Sequence, residues 1–215
     1  MNNWEKPIEP QKVFDNALKK VQEEQEENFL SVNKIEQWLM QPVDLSEHYC
    51  CLIYGNEGAG KTGLALDILT EQDIKEGKKV LVIDLDGGNL PLISRYHKKN
   101  TTNFIVKNPM IHPRAMKIEG DDIQFDYSII LSLIKGIVNV VSLHYKELQI
   151  KAVVFDGLST FLKVCENIMR MEKHLTPDGG VNNLYWKIRS KHFLETILAI
   201  KSLPVNKLFI ATKFL

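Results

Sequence analysis

The stretch YGNEGAGKT, Tyr54 to Thr62, crowds three glycines, a lysine and a threonine into the gap between two apolar runs. A tight turn needs only one or two glycines. The upstream run HYCCLIY (48–54) reads as a strand buried on both faces. Downstream, KTGLALDILTEQDIKEG (61–77) has helical spacing. The gap therefore falls between a buried strand and the first turn of a helix, with the spacing G-x-x-x-x-G-K-T from Gly55 to Thr62. Glycine permits positive φ and carries no Cβ to hold a ligand away. Successive backbone N–H groups then converge into an anion nest, and the helix N-terminus adds a partial positive charge. Lys61 supplies a full charge, and the Thr62 hydroxyl is placed to ligate a divalent cation. The stretch predicts a loop that wraps a polyphosphate. Its binding residues are Gly55, Asn56, Glu57, Gly58, Ala59, Gly60, Lys61, Thr62 and Gly63.

The rest of the chain has the pattern such a loop needs. Apolar runs at 78–86, 103–108, 151–156 and 206–214 read as strands. Residues 127–147, 158–172 and 182–202 read as helices. Strands alternating with helices predict an α/β fold, a mostly parallel sheet flanked by helices. Residues 1–45 differ. They suggest a short helical N-terminal extension, with helices over 10–28 and 31–40 and a break at Pro42. The acidic run Glu23–Glu27 reads as a solvated helix face. The domain boundary is placed at 45/46, with the nucleotide-binding domain over 46–215.

A chain of 215 residues that is 44% hydrophobic can fill one ordinary core. With 27 basic and 27 acidic residues it has no global attraction to nucleic acid or to a membrane surface. No apolar run reads as a membrane span, and MNNWEKPIEP does not resemble a signal peptide, so a soluble cytoplasmic protein with no membrane partner is expected. The three cysteines have no metal-ligand spacing and are expected to be reduced, buried thiols; no zinc is expected.

A carboxylate is needed to hold Mg²⁺ beside Thr62. Asp156 ends the apolar run VVFD, at the sheet edge where α/β proteins bind ligands. Hydrolysis also needs a group to activate water. Many ATPases place a glutamate directly after the metal aspartate, but here Gly157 and Leu158 follow. The other arrangement puts the carboxylate at the end of a neighbouring strand, and VLVIDLD offers Asp84 and Asp86. Strand alternation would put both on one side. Asp86 lies further toward the ligand edge and is the candidate catalytic carboxylate; Asp84 is either structural or the true base.

These segments together resemble the RecA-like P-loop ATPases. GNEGAGKT (55–62), VLVIDLD (80–86), VVFDGLST (153–160) and LFIATK (208–213) occur in that family's order. LYWKIRSKHFLETILAIKSLPVNKLFIATKF (184–214) is similar to the compact phage members linked to single-strand annealing and recombination. The resemblance implies ATP and Mg²⁺ as ligands, with catalytic roles for Lys61, Asp86 and Lys213. It also implies a strand interposed between those of Lys61 and Asp156, which lie 95 residues apart. Asp86 is one methylene shorter than the family's glutamate. Thr212 and Lys213 stand where RecA has a γ-phosphate-sensing glutamine.

Single-stranded DNA and a homo-oligomer are the partners the resemblance implies. DNA contacts would fall within 163–183, at Lys163, Arg170, Lys173 and His174, with Gly179 and Gly180 for mobility. The segment YWKIRSKHF (185–193) reads as an amphipathic helix with basic and aromatic residues, and RYHKK (95–99) as a solvated basic patch. The motif FDNA (14–17) has the Phe-x-x-Ala form by which some recombinases dock on a neighbouring subunit. The competing functional readings are a DNA-packaging or helicase-type motor and a nucleotide-dependent assembly switch without DNA.

Overall fold

The computed structural model describes residues 48–119, 122–176 and 179–212. The N-terminal helices and FDNA therefore lie outside the described residues, as does Lys213. Strands β1 (Cys50–Gly55), β2 (Lys79–Asp84), β3 (Phe104–Lys107), β6 (Ile150–Asp156) and β7 (Asn206–Thr212) form a five-stranded sheet in the order β1-β7-β6-β2-β3. Every pair is parallel. A separate antiparallel hairpin, β4 (Met116–Glu119) and β5 (Asp122–Phe125), was not anticipated from the sequence.

The α-helices are α1 (Lys61–Leu66), α2 (Glu71–Lys75), α3 (Asn89–Tyr96), α4 (Tyr127–His144), α5 (Leu158–Glu172) and α6 (Trp186–Lys201). Strand alternation sorts the core into two layers. Leu81, Ile83, Val153, Phe155 and Phe209 face α4, α5 and α6. Val80, Val82, Ala152, Val154, Leu208 and Ile210 face α1 and α3. The aromatic centre of the first layer is Phe155, which meets Phe161 edge-on at 5.3 Å between ring centroids.

Several local expectations change. The single helix over 61–77 is two. Thr70 Oγ1 accepts from the Asp73 N–H, and Asp73 Oδ2 accepts from the Thr70 N–H, both at 3.1 Å. This capping box restarts the helix. β2 stops at Asp84, not at residue 86. α4 has 18 residues and a mean hydropathy of 1.5, so by length and composition one helix does reach the range of a membrane span. Its Ile130, Leu131, Ile134, Val138 and Val141 are buried against the sheet.

β1 is not buried on both faces. Among the described residues it pairs only with β7, and Cys50, Cys51, Leu52 and Tyr54 are exposed. A continuous apolar run cannot by itself distinguish a central strand from an edge strand. Cys50 and Cys51 are thus surface thiols, whereas Cys165 is fully enclosed, and burial pushes its thiol up to about 12 against the opposing charges of Lys135 and Arg189. A disulfide reagent should therefore titrate two thiols in the folded protein and the third only after denaturation, since the thiolate is the reacting form. Three thiols reacting at one rate would contradict this core.

Candidate functional site

The parallel register brings the predicted motifs to one edge. Gly55 pairs with Thr212, Asp156 with Ile210, and Asp84 with Asp156. All these strands end there, so the loops that follow them share one rim. β7 lies between β1 and β6, which is the interposed strand that the RecA resemblance implied.

The loop from Gly55 leads directly into α1. Gly58 has φ +76° and Gly60, the residue capping α1, has φ +78°. A Cβ at either would meet nothing within 4 Å. The glycines are thus required for backbone conformation, and the space in front of the loop is open. Lys61 Nζ donates to the Asn56 carbonyl at 2.6 Å, which holds its charge over the loop. A cavity of about 1000 Å³ is lined by residues 57–63 together with Asp86, Asp156, Ser159, Thr160, Lys163 and Thr212.

Thr62 and Asp156 meet in this cavity. The Thr62 hydroxyl donates to Asp156 Oδ2 at 2.9 Å. Asn89 Nδ2 donates to the same oxygen, also at 2.9 Å. Burial holds the Asp156 carboxyl above its ordinary pKa. The two hydrogen bonds oppose that shift, and the carboxylates of Asp86 and Asp84 add to it.

The two aspartates after β2 take different positions. Asp84 is buried and spent on the backbone: the Gly87 N–H donates to Oδ1 at 2.7 Å and the Asn89 N–H to Oδ2 at 3.0 Å. It closes the turn into α3. Asp86 is exposed and lines the cavity, where Thr160 Oγ1 donates to its Oδ1 at 2.6 Å. The strand alternation that would have aligned them ends at Asp84, because residues 85–87 form a bend.

Gly157 accounts for the missing glutamate. It has φ +97°, and a Cβ there would lie 2.7 Å from Asp86 Oδ1 and 2.9 Å from the Leu85 Cβ. No side chain fits after Asp156 while Asp86 occupies that space. A side chain at position 157 and Asp86 in its observed place therefore exclude each other.

The cavity, the glycine loop and the Thr62–Asp156 contact agree with a comparison to known families, in which the AAA domain profile matches residues 47–213. The chain belongs to the AAA domain family. An AAA domain is a nucleotide-binding ATPase of the P-loop class, and residues 55–63 form the loop of that class here. No curated protein matches the chain.

Other predicted residues are more dispersed around the AAA domain. Lys163 and Arg170 lie on α5 and not in a loop. Arg170 is engaged: Nη2 donates to Glu166 Oε1 at 2.9 Å, and Nη1 to the carbonyls of Thr176 and Gly179. Its guanidinium ties the carbonyls of Thr176 and Gly179 to α5 and is not free for a phosphate. The Lys173 ammonium sits over the Tyr185 ring, and the Arg189 guanidinium over the Trp186 ring, 5.6 and 4.3 Å from the centroids. On α6, Lys187 and Lys191 are exposed while Ile188 and His192 are partly buried, the amphipathic arrangement expected. Asn89 was missed by the sequence reading. Only the spacing from Asp84, which makes it the first residue of α3, hints at it.

Proposed function

We propose that this AAA domain hydrolyses ATP with Mg²⁺ and acts on single-stranded DNA in recombination, annealing or repair, as a homo-oligomer. The observation that carries the ATPase part of the reading is Asp86, in the bend just past the end of β2, the strand beside β6, where Thr160 donates to it at the cavity. In that position its carboxylate can accept a proton from an attacking water. The loop N–H groups and Lys61 hold the phosphates and stabilise the charge that develops on them.

The donor set fits Mg²⁺. Thr62 offers a hydroxyl and Asp156 a carboxylate, both hard oxygen donors. Among the described residues no group of three or more His, Cys, Asp or Glu side chains could hold an ion. An ion here therefore depends on phosphate oxygens and water, as Mg²⁺ does in such sites. A cation would also offset the burial, and the lesser contribution of the Asp86 and Asp84 carboxylates, that raise Asp156. Bound there, Mg²⁺ would neutralise charge on the phosphates. Lys213 is proposed to act on the γ-phosphate, across a subunit interface. DNA binding draws support from the paired bases and rings at Lys173–Tyr185 and Arg189–Trp186, the residue types that contact a single strand.

The test is phosphate release by the purified protein, with and without single-stranded DNA. Stimulation by DNA is the expected result. Hydrolysis indifferent to DNA would retain the ATPase and remove the DNA assignment.

A further inference from the structure

Asp86 sits where its own backbone cannot aim it. β2 ends at Asp84, residues 85–87 form a bend, and Asp86 is exposed at the cavity. An exposed carboxylate in a bend has several rotamers open to it, and its two oxygens interchange by rotation about Cβ–Cγ. Among the described residues one hydrogen bond limits it, from Thr160 Oγ1 to Oδ1 at 2.6 Å.

Thr160 is placed for this bond by rigid structure. It lies in the first turn of α5, whose Phe161, Val164, Cys165 and Ile168 are buried in the core. The Phe161 N–H donates to the Gly157 carbonyl at 2.8 Å and closes that turn. A helical threonine hydroxyl commonly turns back to the carbonyl four residues before it. Here that carbonyl belongs to Asp156, and it already accepts from the Leu85 N–H at 2.9 Å. The hydroxyl reaches instead across to the bend after β2. Gly157 supplies the clearance, since a Cβ there would stand 2.7 Å from the same Oδ1. Asp86 is exposed and Thr160 only half-buried, so the bond exchanges with water and adds little to stability. What it fixes is direction: Oδ1 is taken, and Oδ2 accepts no hydrogen bond from the described residues.

We propose that Thr160 is a positioning residue for water activation, resting on the ATPase reading above. Its hydroxyl occupies Oδ1 and leaves Oδ2 as the oxygen that receives the proton. In the step so served, the water oxygen bonds to the terminal phosphorus and its proton passes to Oδ2. The bond from that phosphorus to the leaving ADP oxygen breaks. Thr160 exchanges no proton and acts through Asp86.

The test uses Thr160→Val and Thr160→Ala, which remove the hydroxyl, and Thr160→Ser, which keeps it. Phosphate release by the full chain is measured over a range of ATP concentrations, with analogue binding and thermal unfolding alongside. In the valine and alanine variants kcat should fall by about ten- to a hundredfold, the scale of a misplaced reacting group. KM, the affinity for a non-hydrolysable ATP analogue and the unfolding midpoint should stay near wild type. Serine should restore most of the lost turnover. Wild-type kcat in the valine and alanine variants would overturn the assignment. So would a serine variant as slow as valine, or a loss of kcat matched by an equal loss of analogue affinity or a lowered midpoint. Asp86→Asn is run beside them. Wild-type turnover in that variant, or no turnover by the wild type, would overturn the reading of Asp86 itself and the assignment with it.

Discussion

Lys61→Ala should abolish measurable ATP turnover while leaving the fold intact. Lys61 is the one full positive charge that α1 carries into the loop, and the loop N–H groups are only partial charges. Removing a single preorganised donor to developing charge costs about 10²–10³ in turnover, and loss of a full charge should cost at least that. The structural cost should be small. The lysine is only half-buried, and its hydrogen bond goes to the nearby Asn56 carbonyl across an exposed loop. Phosphate release should thus fall to background, with the unfolding midpoint of the nucleotide-free protein unchanged. Turnover close to wild type would mean that the loop does not hold the reacting phosphates.

Asp86→Asn should separate hydrolysis from binding. Asparagine has the same shape and can still accept from Thr160, but it cannot take a proton from water. General-base contributions run to about 10²–10⁴, so turnover should drop by that order while a non-hydrolysable ATP analogue binds as before. Asp84→Asn provides the contrast. Asp84 accepts from two backbone N–H groups, and replacing one of its oxygens with an NH₂ leaves a buried donor facing a donor. A buried group unsatisfied in this way costs about 1–3 kcal/mol, so this variant should lose stability first. The reverse pattern, with catalysis lost in Asp84→Asn and kept in Asp86→Asn, would exchange the two roles.

Much of the site was legible because it depends on local geometry. The glycine loop needs a strand before it and a helix after it, and both were visible as a change in apolar period around residues 54–61. Asp156 was legible because it ends an apolar run. Asp84 and Asp86 were not separable, since their difference depends on where β2 ends, and the sequence continues to alternate past that point. Asn89 was invisible for a related reason. Its partners, Asp84 and Asp156, come from two strands that become neighbours only when the sheet assembles.

The sequence by itself determined the α/β class, the polyphosphate loop and the pairing of Thr62 with a strand-end aspartate. Each follows from short-range chemistry: glycine's freedom at positive φ, the period of burial, and a helix N-terminus beside a charge. Tertiary structure alone decided the order of strands, the exposure of β1 and the exclusion of any side chain at Gly157 by Asp86. These depend on which segments lie side by side, and a run of apolar residues gains burial against many possible neighbours. Only the packed sheet selects one of them, and with it the positions of Asp86 and Asp156 at the nucleotide cavity.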